Sequence, residues 1–192
     1  MKTVSQDLLT EIDRTIKTTW LNNIQNDWWD DALYLEASLK CAFYYHLRRK
    51  LASVLRENNL RIFSEYWFAG LRLKADLVIV RLKDGWKELY PKEAVSDVLA
   101  VIELKHTYGA EDWVKNDVRK FKRYLQEGDI DCQYYLGVIY DEECSALNWM
   151  DKRSTNHWAN GRVTELDAGR IDGHMKFEVR SYNGMNPELS EL

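Results

Sequence analysis

Two apolar segments with the composition of buried strands each contain a carboxylate, and this combination restricts what the chain can fold into. Residues 75–80 contain one acid, Asp76, and residues 98–105 end in Glu103, a leucine and Lys105. An unpaired buried carboxylate costs several kcal/mol or takes up a proton. The two acids at the ends of core strands therefore need compensation.

A hard divalent cation would supply that compensation. Side chains alternate along a strand, so Glu103 and Lys105 point to one face, roughly 7 Å apart. Mg²⁺ prefers carboxylate oxygens, backbone carbonyls and water. Asp76 and Glu103 would hold the metal, with the Leu104 carbonyl as a further ligand, and Lys105 would orient or activate an attacking water and stabilise developing negative charge. The alternative is a structural Glu103–Lys105 ion pair at a solvent-facing strand end.

A third acid, Glu36, lies on the apolar side of a predicted helix. We expect this helix to begin at Asp30 or Asp31 and to run to about Arg56. Its apolar stripe begins at Leu35 and continues through Leu39 and Phe43, and Glu36 falls on this stripe because it lies three residues before Leu39 and seven before Phe43. The helix would therefore direct this acid toward the same site. The alternative is an acid at a frayed helix end that interacts with the helix dipole.

The element pattern predicts one domain over residues 1–192, with a core at about 32–141. The fold class is α/β or α+β, with a mixed central sheet flanked by helices, N-terminal helices and a β-rich C-terminal tail. Besides the long helix, we expect helices at 6–20 and 112–127, strands at 60–68, 71–82, 98–105 and 133–140, and a hairpin of 162–166 with 174–182. Residues 141–160 are ambiguous between loop and helix.

Positive charge is concentrated in two segments although the chain carries a net charge of −4. Residues 32–83 carry +6 and residues 113–125 carry +4, whereas residues 126–192 carry −7. Such segments can build a local surface that faces phosphates, because screening limits exposed charges to a reach of roughly 10 Å. The alternative is that they coat solvated helix faces.

Several other classes of function are disfavoured. No run of eighteen apolar residues occurs and no signal-peptide core is present, so we expect a cytoplasmic protein without membrane contact. The three cysteines and four histidines lack zinc-ligand spacing, and phosphate-loop, hydride-cofactor and nucleophile motifs are absent. Most of the eight tryptophans are expected in the core, with Trp86 the best candidate for stacking on bases.

Together these features resemble the PD-(D/E)XK nuclease superfamily, which has the restriction-endonuclease-like fold. The resemblance covers roughly residues 32–141: an inward Glu36, the first motif acid Asp76, the E-x-K motif at 103–105, then a basic helix and a strand. Ala75 replaces the proline that names the first motif, and the 26 residues between Asp76 and Glu103 predict a protruding connection. The tail after residue 141 has no counterpart.

The resemblance implies a Mg²⁺- or Mn²⁺-dependent nuclease, with DNA rather than RNA as the expected substrate and endonuclease action as the expected mode. Its catalytic residues would be Glu36, Asp76, Glu103 and Lys105. Basic residues of both positive segments would contact phosphates: Lys40, Arg48, Arg49, Arg72, Lys74, Lys115, Arg119, Lys120 and Lys122. Cleavage of both strands of a duplex would favour a homodimer, although no dimer surface is readable in the sequence.

Two other functions fit the same pattern. A catalytically inactive protein of this fold would bind nucleic acid or protein, and neutralising Asp76 and Glu103 would leave its function unaltered. A nucleic-acid-binding subunit that depends on a partner for catalysis would bind in a salt-dependent manner without turnover.

Overall fold

The computed structural model describes residues 4–90, 93–108, 111–128, 130–144, 146–150, 157–159 and 161–190, with the backbone alone at 111–113 and 190. Within these ranges the chain forms the helices α1 (Gln6–Thr18), α2 (Gln25–Trp29), α3 (Glu36–Lys50), α4 (Ala52–Glu57) and α5 (Glu111–Glu127). A π-helical segment, Thr19–Ile24, joins α1 to α2, and 3-10 turns lie at Trp86–Glu88 and Pro187–Ser190. The described strands are β1 (Leu60–Phe68), β2 (Leu73–Leu82), β3 (Val95–Thr107), β4 (Gln133–Glu143), β5 (Val163–Ile171) and β6 (His174–Ser181).

These six described strands form one sheet in their sequence order. β1, β2 and β3 pair antiparallel, β3, β4 and β5 pair parallel, and β6 returns antiparallel along β5. Helix α5 connects the parallel strands β3 and β4, as a parallel pair requires a long crossover. The predicted mixed sheet flanked by helices is confirmed.

Helices cover both faces of the sheet. On one face, Trp20 of the π-helical segment and Phe43 and Leu47 of α3 are fully buried against the strands. On the other face, Phe121 and Tyr124 of α5 are fully buried. The inner strands β2 to β5 are largely buried on both sides, which explains their nearly continuous apolar runs. None of the described helices is long and apolar enough to cross a membrane.

The long helix differs from its prediction at both ends. It begins at Glu36 rather than near Asp31, because the Ser38 hydroxyl accepts hydrogen bonds from the backbone N–H groups of Tyr34 and Leu35, each at 3.0 Å. It also divides at Leu51, which leaves helical geometry between α3 and α4. Serine hydroxyls satisfy free N–H groups at helix starts, and here the serine lies inside the first turn.

The strand boundaries differ where residues adopt positive φ. β2 begins at Leu73 rather than Leu71, because Arg72 has a φ of 52° and belongs to the preceding turn. The terminal hairpin is confirmed, but its loop is only Asp172-Gly173, with φ values of 53° and 76°. Such a two-residue turn matches the twist of the flanking strands. Residues 167–171, which were predicted as loop, therefore belong to β5.

The ambiguous segment 141–160 contains no helix in its described parts. β4 continues to Glu143, and residues 146–150 and 157–159 form turns, bends and irregular chain. Residues 145, 151–156 and 160 lie outside the described residues, as does the side chain of Trp113.

A buried polar network connects the C-terminal segment to α1. The Asp13 and Lys17 side chains are fully buried and pair at 2.8 Å. Asp13 also accepts hydrogen bonds from Tyr135, Asn183 and Asn186, each at 2.8 Å. Buried charges require pairing and hydrogen bonds of this kind. The network explains how a polar C-terminal segment is held against the core.

Candidate active site

The strands β2 and β3 separate at the level of Asp76 and Glu103. Their last paired residues on this side are Leu77 and Ile102. Just beyond this pair, the Asp76 Oδ2 atom accepts a hydrogen bond of 2.7 Å from the backbone N–H of Leu104. The Leu104 N–H therefore donates to a side-chain carboxylate of β2 instead of to a main-chain carbonyl of that strand. Both predicted acids lie at the same end of adjacent strands.

The Glu103 carboxylate is buried between β3 and α5, with an exposed fraction of 1%. Its Oε2 lies 2.6 Å from Lys120 Nζ, and its Oε1 accepts a hydrogen bond of 3.1 Å from the Tyr124 hydroxyl. Burial raises the pKa of Glu103 to about 8; Lys120 opposes this increase and the Asp76 carboxylate adds to it. At neutral pH, Glu103 therefore depends on a nearby cation for its negative charge.

The apolar periodicity of residues 112–127 predicts Lys120 on the outer face of α5, and this prediction of its orientation is wrong. Its side chain is 28% exposed and its ammonium group contacts Glu103 and, at 3.5 Å, Asp117. A lysine beside the apolar stripe can extend its aliphatic stem along the helix and direct the ammonium group to a buried acid. Its contact with phosphate stays a prediction.

Glu36, at the first position of α3, does reach the site. Its Oε2 lies 2.8 Å from Lys105 Nζ and its Oε1 lies 2.8 Å from Lys40 Nζ. Burial acts to raise the pKa of Glu36, but the two ammonium groups outweigh burial and lower this pKa below its usual value. The predicted inward orientation of this helix acid is confirmed by its contact with Lys105.

Lys40 lies between carboxylates rather than on an open basic surface. Its Nζ contacts Glu36 and, at 2.7 Å, Asp76 Oδ1, and Glu65 lies 3.7 Å away. Burial acts to lower the pKa of Lys40, but its acidic neighbours outweigh burial and raise it. An ammonium group thus occupies the space between two acids of the candidate site.

Lys105 connects the two helices that flank the sheet. Its ammonium group contacts Glu36 of α3 and, at 3.4 Å, Asp117 of α5. Burial acts to lower the pKa of Lys105, but the carboxylates outweigh it and the pKa is raised. The protonated form is therefore favoured, which suits charge stabilisation better than proton abstraction.

Asp117 belongs to the site although it was absent from the sequence prediction. It is 9% exposed and lies within reach of both Lys105 and Lys120. The signal that identified Glu36 was also present here, because Val114, Asp117 and Phe121 follow each other at steps of three and four on the buried side of α5. An acid at a position of the apolar stripe of α5 is the pattern by which Asp117 could have been predicted.

Glu65 lies at the rim of the site in a strained conformation. Its φ is 53°, a region that costs a non-glycine residue about 1–3 kcal/mol. Its carboxylate pairs with Lys74 and approaches Lys40. The conformation interrupts the pairing of β1 with β2 opposite Asp76, since the register contains the pairs on either side of Glu65 and omits Glu65 itself.

The other predicted phosphate contacts are distributed over several surfaces. Arg48 and Arg49 are exposed at the end of α3, where they bond to the Tyr44 and Tyr45 hydroxyls. Arg72 lies in the turn before β2, whereas Lys74 lies on β2, two residues before Asp76, and pairs with Glu65. Lys115, Arg119 and Lys122 are exposed on α5.

The donor set suits a hard cation in its chemistry. Asp76 and Glu103 supply carboxylate oxygens at one end of β2 and β3, and Leu104 supplies a backbone carbonyl between Glu103 and Lys105. Among the described residues, no three acids, histidines or cysteines are already grouped around a common point as metal ligands. The acids instead bind ammonium groups, of which Lys40 is the one that contacts Asp76. Metal binding would therefore require Lys40 to move aside.

A second buried acid lies on the same face of the sheet as Glu103. In the strand register, Glu103 is opposite Leu136 of β4, and Leu136 is opposite Glu165 of β5. Two strand spacings separate the two acids by roughly 10 Å. Glu165 is fully buried and accepts three hydrogen bonds, from the Trp149 and Met150 backbone N–H groups and from the Tyr182 hydroxyl.

Comparisons of the chain with protein-family models, with curated proteins and with solved structures each gave no significant match.

Proposed function

We propose that the protein is a divalent-metal-dependent nuclease of the PD-(D/E)XK type that hydrolyses phosphodiester bonds, with DNA as its expected substrate. The observation that carries this proposal is the meeting of Asp76, Glu103 and Lys105 where β2 and β3 separate, together with Glu36 from α3. The order of a helix, three antiparallel strands, a crossover helix and a parallel strand also supports it.

Each side chain has a defined part in the proposed reaction. Asp76 and Glu103 would hold Mg²⁺ or Mn²⁺, with the Leu104 carbonyl available as a further ligand. When bound, such a metal supplies charge stabilisation and an acidified water. The Lys105 ammonium group would orient the attacking water and stabilise the negative charge that develops on the phosphate. Glu36 would hold Lys105 in place and favour its charged form.

A cleavage assay with labelled single-stranded and duplex DNA and RNA tests the proposal. We expect hydrolysis with Mg²⁺ or Mn²⁺ and none with EDTA. Asp76→Asn, Glu103→Gln and Lys105→Met should each reduce the rate by at least about a hundredfold, within the range for loss of a group that stabilises transition-state charge. Circular dichroism would verify that each variant is folded.

Asp97→Asn is a matched control on the same strand. Asp97 lies six residues before Glu103, roughly 20 Å away along β3, and pairs with Arg81 rather than with the site. It should cut as fast as the wild type. Tight Mn²⁺ binding by the wild type without cleavage of any nucleic acid would contradict the nuclease proposal.

A non-catalytic binding protein is the second candidate, and a specific observation favours it. The site acids are already compensated by ammonium groups, so the folded chain is electrostatically complete without a metal. Removing one partner of a buried ion pair is destabilising, so the Asp76→Asn/Glu103→Gln double variant should melt at a lower temperature as Lys40 and Lys120 lose their counter-charges. For a non-catalytic function, this variant would nevertheless keep its binding.

A further inference from the structure

A groove of about 580 Å³ lies between the C-terminal half of α3, α4 and the edge strand β1. Its lining includes Tyr44, Arg48 and Arg56 from the helices. At the edge of the sheet it also includes Arg61 and Phe63 of β1, which are paired with Val80 and Val78 and so lie on the α5 side of the strand. The groove is separate from the acids of the candidate active site. Its composition therefore indicates a binding surface of its own.

The positive charge of this groove is not neutralised. Within the described part of the chain, none of the three arginines pairs with a carboxylate. The Arg48 guanidinium lies 5.7 Å from the centre of the Tyr44 ring, and the Arg61 guanidinium lies 5.3 Å from that of Trp86. Aromatic rings position these guanidinium groups without cancelling their charge. A polyanion is thus the complementary ligand.

One side of α3 leads from the active site to the groove. Glu36, Lys40, Tyr44 and Arg48 follow at intervals of four, which places them on one side of the helix. Glu36 contacts Lys105 in the active site, and Arg48 lies in the groove. Twelve residues of helix span roughly 18 Å. A stacked nucleic-acid strand advances about 3.4 Å per nucleotide, so the distance corresponds to roughly five nucleotides.

Exposed aromatic side chains favour unpaired bases over a duplex. Phe63 is 36% exposed and lies parallel to Tyr66, with ring centres 6.2 Å apart and an interplanar angle of 7°. Aromatic platforms beside arginines bind single strands because unpaired bases stack on them, whereas paired bases are enclosed in the helix.

We infer that this groove binds a single-stranded nucleic-acid segment that extends from the active site. The inference deepens the proposed nuclease function and rests on it for the path of the strand. Binding of the strand to the groove does not itself require a metal or cleavage. It can therefore be measured in EDTA, separately from catalysis.

The test is fluorescence anisotropy of the wild type in EDTA with oligothymidylate and oligouridylate of about twelve nucleotides, within the usual site size for such grooves. A duplex of the same length is the comparison, and the two oligonucleotides distinguish DNA from RNA. We expect tighter binding of at least one single strand than of the duplex. Arg48→Gln and Arg61→Gln should each weaken that binding and reduce the slope of log affinity against log salt by about one.

Two further variants test whether binding depends on base stacking and on the location of the positive charge, and not on positive charge alone. Phe63→Leu keeps an apolar side chain but removes the ring, and it should weaken binding by at least about fivefold. Lys176→Gln removes one exposed positive charge on β6, at the opposite edge of the sheet, and should leave affinity unchanged.

Tighter binding of the duplex, or an equal effect of Arg48→Gln and Lys176→Gln, would overturn the inference. Absence of oligonucleotide binding would also overturn it and would leave the edge of β1 as a surface for an extended peptide. Groove-dependent binding without cleavage in Mn²⁺ would support the inference while contradicting the proposed nuclease. If the wild type cleaves nucleic acid but the groove variants bind the oligonucleotides as tightly as the wild type does, the inference about the groove would be contradicted and the nuclease proposal would not.

Discussion

The Lys40 ammonium group lies 2.7 Å from Asp76 Oδ1 and also contacts Glu36 at 2.8 Å. An acid from the sheet and an acid from α3 thus share one positive charge. A divalent cation that binds Asp76 must compete with this ammonium group, because both interact with the same carboxylate oxygens. The contact of Lys40 with Asp76 therefore affects how readily a divalent cation can replace the ammonium group at this carboxylate.

The substitution Lys40→Met tests this competition. It removes the charge and keeps most of the aliphatic stem, so the metal-free protein should lose about 1–3 kcal/mol of unfolding free energy as the acids lose a partner. Mn²⁺ should then raise the melting temperature of the variant more than that of the wild type, because binding to the folded state stabilises it. Thermal unfolding with and without Mn²⁺ measures both effects.

Lys74→Met is the control for this experiment. Lys74 also pairs with an acid near the site, Glu65, but its side chain is 54% exposed and it does not contact Asp76. Its removal should leave the Mn²⁺-dependent shift unaltered. Equal shifts in the Lys40→Met variant and the wild type would show that the ammonium group does not compete with the metal.

Asp117 should affect catalysis through the lysines that it contacts. Asp117→Asn removes a carboxylate within 3.5 Å of both Lys105 and Lys120. Groups that orient residues of a metal site typically contribute about 10- to 100-fold to activity. We expect a decrease of that size in kcat with little change in KM, since the proposed role is to position Lys105 rather than to bind substrate.

Glu127→Gln on the same helix is the control, because Glu127 pairs with Arg123 at the surface. It should leave both kinetic constants unchanged. An increase in KM alone for Asp117→Asn would instead assign Asp117 to substrate binding. Unchanged kinetics would remove it from the site.

The acids of the candidate site could be predicted because they interrupt patterns that are otherwise apolar. Asp76 and Glu103 stand out in buried strands, and Glu36 stands out on the apolar stripe of a helix. Their partners were harder to predict. Which ammonium group reaches Glu103 depends on how α5 packs on the sheet, and Lys120 is separated from the apolar stripe by a single position. Periodicity describes the side of a helix and does not describe the reach of a long side chain.

The fold was also predictable only in those parts where the residue pattern was clear. β1 and the start of β4 matched the pattern of apolar and β-branched residues, since those strands have clear turn signals before them. The start of α3 depended on Ser38 and the start of β2 on the positive φ of Arg72. A serine does not always cap a helix, and an arginine rarely adopts a positive φ. Residue type alone therefore did not predict where these two elements begin. Asp167 was missed because the loop predicted at 167–173 concealed the length of β5, whereas Glu165 lay within the predicted strand 162–166 and was not recognised as buried.

The buried pair of Asp13 and Lys17 should be important for stability. Asp13→Asn keeps the shape of the side chain but leaves the fully buried Lys17 without its counter-charge. Removing the charge of one partner of a buried ion pair lowers the free energy of unfolding by about 3–5 kcal/mol. Glu127→Gln is the control, because its pair with Arg123 is about half exposed, lies away from this network and should contribute no more than about 1 kcal/mol. Urea denaturation measures both, and equal losses would contradict the assigned role of the network.

The two buried acids of β5 should make the protein less stable as pH rises. Asp167 is fully buried, and neither of its oxygens has a hydrogen bond of ordinary geometry within the described residues. Burial raises the pKa of Asp167 well above its usual value; the neighbouring Glu165 adds to this effect and Arg180 opposes it. Burial likewise raises the pKa of Glu165. The folded state therefore holds protons that the unfolded state releases.

The sign of the effect follows from this difference in pKa. Below about pH 4 both states are protonated and the stabilisation is fully present, and it decreases as pH rises from there toward the folded-state pKa values. Asp167→Asn should flatten the dependence of melting temperature on pH and raise that temperature at neutral pH. Asp172→Asn, at the exposed turn of the same hairpin, should keep the wild-type slope. Parallel curves for the wild type and Asp167→Asn between pH 4 and 8 would mean that Asp167 is ionised in the folded protein and paired with a cation.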